Sequence, residues 1–201
     1  MNPLSRSTIG ATSRRTRILR VASGSFFAFG ILALAYAGFV FADAHVYQAA
    51  EIRKFEQASP PPEPPPLADG DVLGVLQVPR LQINAIVVQG DSPHNLRRAV
   101  GHLADSALPG ASGNVALAGH RDTFFRPLRD IRVGDQIRFQ TQERSFNYVV
   151  DSIEIVAPAD IRVLESSTGH DLTLLTCFPF HYVGPAPKRF VVHAREVEGT
   201  P

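Results

Sequence analysis

Cys177 is the only cysteine in the chain. It ends the apolar run LTLLTC at 172–177 and is followed by FPF, whose proline stops a strand, so the thiol falls at a strand end beside a loop. Rigid scaffolds commonly hold reactive groups at such places. A lone cysteine is also an ordinary small core residue. In an exported chain, however, most cysteines are paired, and one left single at a strand end reads as a thiol kept for its reactivity. To attack a carbonyl it must become a thiolate, which requires a nearby cation or a histidine that takes the proton.

The chain has seven histidines. His120 directly follows the apolar run NVALAG, so a strand delivers it, and Gly119 permits a tight backbone before the polar cluster His120-Arg121-Asp122. His102 and His181 are weaker alternatives, the first after a helical stretch and the second in the loop beyond Cys177. His45, His94, His170 and His193 sit in a stalk, in polar turns and in a final strand, where exposure or packing accounts for them. Arg189 opens the last apolar run after the connection FPFHYVGPAPK, and two strands joined this way bring Arg189 beside Cys177. A guanidinium there can hold a carbonyl or an oxyanion, although a solvated arginine at a strand start is the plainer explanation.

The elements that must position these groups are short. From about residue 71, apolar runs are cut by Gly, Pro, Asn and Asp, which predicts many short strands. Candidates are 74–79, 83–88, 114–119, 136–141, 146–156, 172–177 and 189–197. Only HNLRRAVGHL at 94–103 reads as a helix, capped by Asp91 or Ser92 with Pro93 in its first turn. A second short turn fits TFFRPLRDI, limited by Pro127. The expected fold is mainly β, a small and mostly antiparallel barrel with one or two short helices.

Ahead of it, residues 21–42 carry no charged side chain and are long enough for a spanning helix. Arg6, Arg14, Arg15, Arg17 and Arg20 precede it and Asp43 follows, which puts the N-terminus in the cytoplasm and the rest outside. A cleaved signal peptide is the competing reading, but its apolar region would be shorter. SPPPEPPP at 59–66 favours polyproline II, a stiff spacer of roughly 25 Å. The expected division is a basic N-terminus at 1–20, an anchor at 21–42, a stalk and spacer at 43–70 and a catalytic domain at 71–201. A net charge of +1 with no basic stripe argues against nucleic acid as a partner.

Three segments together, NVALAGHRDTFF, LTLLTC and APKRFVV, resemble the sortase family, as do the flanking GHLADSALPG, FRPLRDIRVGD and CFPFHYVGPAPKRF. The resemblance covers roughly residues 72–196, and the cysteine segment is most similar to class D. It implies an eight-stranded barrel, cysteine transpeptidase activity and a single-pass anchor in a bacterial cytoplasmic membrane. Cys177 would attack the threonine carbonyl of a Leu-Pro-x-Thr-Gly or Leu-Pro-x-Thr-Ala sorting signal. His120 would serve as general acid and then base, and Arg189 would hold substrate and oxyanion. Thr176, beside the nucleophile, would assist in substrate binding, although threonine is also a good strand former. Asp122 is too close to His120 in sequence to orient its ring and reads as a turn residue.

The acceptor would be an amine on peptidoglycan or on a protein, and no cofactor is implied. The connection at 156–171 would shape the substrate groove; its lack of a strong acidic cluster gives calcium little support. A metal site is disfavoured because the chain has no CxxC or HxxxH spacing. LLTCFP does not match the Ser/Thr-x-Gly-Cys setting of L,D-transpeptidases. The remaining alternative is an inactive, membrane-tethered peptide-binding module on the same barrel.

Overall fold

No proline interrupts residues 9–57, and the computed structural model folds them into one helix, α1 (Ile9–Gln57). The structure describes residues 9–58, 67–165, 168–182 and 184–197. The chain divides into two units, Met1–Asp43 and Ala44–Pro201. In the first, α1 carries the one helical stretch among the described residues that is long and apolar enough to cross a membrane, with a mean hydropathy of 2.0 and no burial inside protein. Phe26, Phe27, Phe29 and Leu34 project from it uncovered. The proline-rich spacer expected at 59–66 lies outside the described residues.

The second unit is a closed barrel of eight strands: β1 (Val72–Val78), β2 (Ile83–Gln89), β3 (Val100–His102), β4 (Gly113–Ala118), β5 (Gln136–Gln140), β6 (Ser145–Val156), β7 (His170–Phe178) and β8 (Lys188–Val197). Their order around the barrel is β1-β2-β3-β4-β7-β8-β6-β5. β2–β3 and β4–β7 pair in parallel and the other neighbours antiparallel. Every strand sends alternate apolar residues inward, among them Leu76, Val87, Val100, Leu117, Phe139, Tyr148, Leu174 and Val192, and this interior is the main core.

The helix expected at 94–103 is shorter and yields a strand. α2 (Pro93–Arg98) starts on Ser92, whose hydroxyl accepts from the Asn95 amide at 3.3 Å, and it stops at Ala99 in extended geometry. Val100–His102 then form β3, which bridges β2 and β4. Gly101 is required there, because a Cβ would lie 2.6 Å from the Gly90 carbonyl oxygen. The second turn expected in TFFRPLRDI is a 3-10 helix at Arg126–Asp130, with Pro127 in its first turn, where a missing N–H costs nothing.

Two smaller clusters cover the outside of the barrel. Phe55, with Tyr47 and Ile52, packs on Val75, Ile86 and Val88 of β1 and β2. Between them the buried Gln48 donates to the Arg98 carbonyl at 2.6 Å and accepts from the Ile86 amide at 2.8 Å, completing the β2 edge beyond the end of β3. The part of α1 from Ala44 onward therefore belongs to the barrel unit, although it reads in sequence as a stalk. On the far side, a 3-10 helix at Ile161–Leu164 lays Val163 and Leu164 over Leu175 of β7 and Val191 of β8.

Candidate active site

Alternation along β7 decides which way each side chain faces. Leu172 and Leu174 point into the main core, and Thr176 follows them; Thr173, Leu175 and Cys177 share the outer face. Cys177 is a free thiol, half-buried. In the β7–β8 register it stands directly opposite Arg189. β4 runs parallel to β7 with Ala118 opposite Leu175, so both strands leave the barrel at the same end. Two residues further along each lie His120 and Cys177. Thiol, imidazole and guanidinium are thus carried at one end of three adjacent strands.

The positions are pinned by hydrogen bonds. The Gly119 amide donates to the Leu175 carbonyl at 3.1 Å, and the buried Thr176 hydroxyl donates to the Gly119 carbonyl at 2.7 Å. Thr176 thus reaches across to the residue before His120, on the side of β7 opposite the thiol. Beyond Gly119 the chain turns sharply, and the His120 carbonyl accepts from the Phe125 amide at 3.1 Å. Phe125 is fully buried, and its ring lies so close to Gly119 that a Cβ there would meet it at 2.7 Å. Arg189 donates to the carbonyls of Lys188 at 3.1 Å and Ala186 at 3.4 Å. Leu175 and Val191, capped by Val163 and Leu164, continue the outer face as an apolar floor beside Cys177.

The other candidates fall elsewhere. His102 is fully buried; its Nε2–H donates to the Ala107 carbonyl at 2.9 Å, and burial holds the ring below its usual pKa. His181 is an exposed loop residue. His193 bridges the Thr173 hydroxyl and the Glu154 carboxylate on the barrel wall, and Glu154 also pairs with Arg162 of the Ile161–Leu164 turn. Asp122 is exposed in the turn after His120. Among the described residues, no three His, Cys, Asp or Glu side chains come together as a metal site would need. Sequence reasoning passed over Arg121. Its only signal was its place beside His120; its guanidinium donates to the carbonyls of Pro179 at 3.0 Å, Tyr182 at 2.6 Å and Gly184 at 3.2 Å.

A thiol at a barrel strand end, with a guanidinium on the next strand and an imidazole at the end of the strand on its other side, suits acyl transfer through cysteine. Comparison with known proteins gives the family: the sortase domain matches residues 76–197, and the chain belongs to the sortase family, whose members are cysteine transpeptidases. It is 35% identical to sortase D of Bacillus subtilis over 129 residues, 64% of this chain and 65% of that one. With sortase SrtE1 of Streptomyces coelicolor it shares 30% identity over 179 residues, 80% of this chain and 50% of that one. It therefore spans about half to two thirds of the length of these relatives. In fold it is similar to a Clostridium perfringens sortase D5 transpeptidase, with a TM-score of 0.65, 22% identity, and coverage of 78% of this chain and 99% of that one.

Proposed function

We propose that this chain is a membrane-anchored transpeptidase that cleaves a Leu-Pro-x-Thr-Gly or Leu-Pro-x-Thr-Ala sorting signal after the threonine. The observation that carries the reading is the pairing of Cys177 with Arg189 in register, with His120 leaving the parallel neighbour strand at the same end. The Cys177 thiolate attacks the threonine carbonyl carbon, and the oxyanion that forms accepts hydrogen bonds from Arg189, which releases its local carbonyls to make them. His120 gives a proton to the departing amine as the carbon–nitrogen bond breaks, leaving a thioacyl enzyme. An incoming amine, on peptidoglycan or on a protein, then attacks the thioester and loses its proton to His120. The carbon–sulfur bond breaks and the thiolate returns.

Val191 is fully buried under the Ile161–Leu164 turn, so apolar residues of the sorting signal meet the half-buried Leu175 beside Cys177. Thr176 serves the site by fixing the Gly119 carbonyl, and through it the start of the His120 turn, rather than through its hydroxyl on substrate. The apolar part of α1 is the anchor, with the arginines before it in the cytoplasm and the barrel outside.

The test uses the full-length chain in detergent micelles and a panel of fluorogenic Leu-Pro-x-Thr peptides. Turnover and an acyl adduct on Cys177 are expected, and Cys177→Ala should abolish both. Peptide binding with no adduct and no turnover would instead favour the inactive binding module.

A further inference from the structure

At its start the connection from Cys177 to Arg189 is held by Phe178 and Phe180, whose rings meet each other and Phe190 against the main core. Among its described residues, two arginines donate side-chain hydrogen bonds to its backbone carbonyls. Arg189 holds Ala186 and Lys188, while Arg121 holds Pro179, Tyr182 and Gly184. Arg121 belongs to a different segment, the turn that His120 begins. Its half-buried side chain crosses to the far loop and also lies over the Tyr182 ring, 5.8 Å from the centroid. One guanidinium therefore ties the residue after His120 to the backbone two residues after Cys177. Arg suits the task better than Lys, whose compact ammonium can reach some of these carbonyls but cannot hold several at the fixed angles of the planar fork.

We propose that Arg121 is a positioning residue that sets the separation of His120 and Cys177. The strands bring the two groups to the same end of the barrel, but the pairing between β4 and β7 ends at Ala118 and Leu175, two residues short of each, so β8 alone holds Cys177 in register and no ladder joins it to His120. The Thr176–Gly119 bond fixes the near side of the His120 turn; Arg121 fixes its far side against the loop that leaves the nucleophile. This rests on the assignment of His120 and Cys177 as the reacting pair. It adds that their proton transfer depends on a side chain that touches neither substrate nor the reacting atoms.

The experiment compares full-length wild-type protein with Arg121→Ala and Arg121→Lys in detergent. Each is measured for kcat and KM on the peptide substrate, for thermal stability, and for the rate of Cys177 alkylation by iodoacetamide across pH. Alkylation is repeated in each background with His120→Ala. Arg121→Ala should lower kcat by about tenfold to a hundredfold while KM changes by less than about threefold, the signature of misplaced groups and not of weakened binding. Replacing His120 should alter the alkylation profile strongly in wild type and by less than about twofold in the Arg121→Ala background, since the pair is already uncoupled. Arg121→Lys should recover part of kcat.

Parental kcat and parental dependence on His120 in Arg121→Ala would overturn the inference. If Arg121→Ala fails to fold, Arg121→Lys decides: a folded variant with the full wild-type response to His120→Ala overturns it. Wild-type alkylation indifferent to His120 would overturn it as well, leaving no pair to position. Turnover surviving in Cys177→Ala strikes the assignment of the nucleophile instead, whatever the Arg121 variants do.

Discussion

Thr176 and Cys177 are adjacent in sequence and face opposite sides of β7, and the barrel uses each accordingly. Thr176 is buried and spends its hydroxyl on the Gly119 carbonyl, while Cys177 looks outward toward Arg189. Thr176→Val keeps the shape and removes the donor, so it should cost about 1–2 kcal/mol of stability in denaturant unfolding. A several-fold loss of kcat should accompany it, with Thr176→Ser close to wild type in both. His102 makes a second prediction at this scale. Burial lowers its pKa from the usual 6.5, so the unfolded chain binds a proton there more readily than the folded one. Its contribution is complete above pH 6.5 and is lost as pH falls below that value toward the folded pKa. His102→Gln should therefore flatten the decline of urea midpoint between about pH 7.5 and about pH 5.5, even if the variant is less stable throughout.

Among the elements, the seven longer strands are legible because apolar runs bounded by Gly, Pro and Asn last long enough to show their pattern. β3 is not legible. Three residues carry no period, and VGH follows a helix directly, so its assignment comes from β2 and β4 on either side. The same limit hid the role of Gln48. A polar residue in an apparently solvated stalk gives no local sign that it will satisfy the Ile86 amide and the Arg98 carbonyl. Gln48→Ala should destabilise the barrel by about 1–3 kcal/mol, read from chemical denaturation of the full chain, because it orphans both groups beneath the helix. Gly119 is a packing requirement at the turn into His120. Gly119→Ala forces a methyl against the Phe125 ring and should cost about 1–3 kcal/mol together with most of the activity, measured by unfolding and by peptide turnover.

At the scale of the whole molecule, the single cysteine makes orientation measurable without engineering. With the barrel outside the membrane, an impermeant maleimide added to intact spheroplasts should label Cys177, and Cys177→Ser should remove the signal. Labelling that appears only after lysis would reverse the proposed topology. The sequence by itself determined the long apolar helix, the arginines before its apolar stretch, the strand-rich domain and the residue types at strand ends, since these follow from local composition and backbone preference. The motifs around Cys177, His120 and Arg189 were also readable, because each sits where an apolar run begins or ends. Only the tertiary structure decided which strands are neighbours, that Cys177 stands opposite Arg189, that Thr176 turns inward and that Arg121 crosses to the loop beyond the thiol. Those facts depend on pairing between segments far apart in the chain, where a shift of one residue exchanges the two faces of a strand and no local pattern records the outcome.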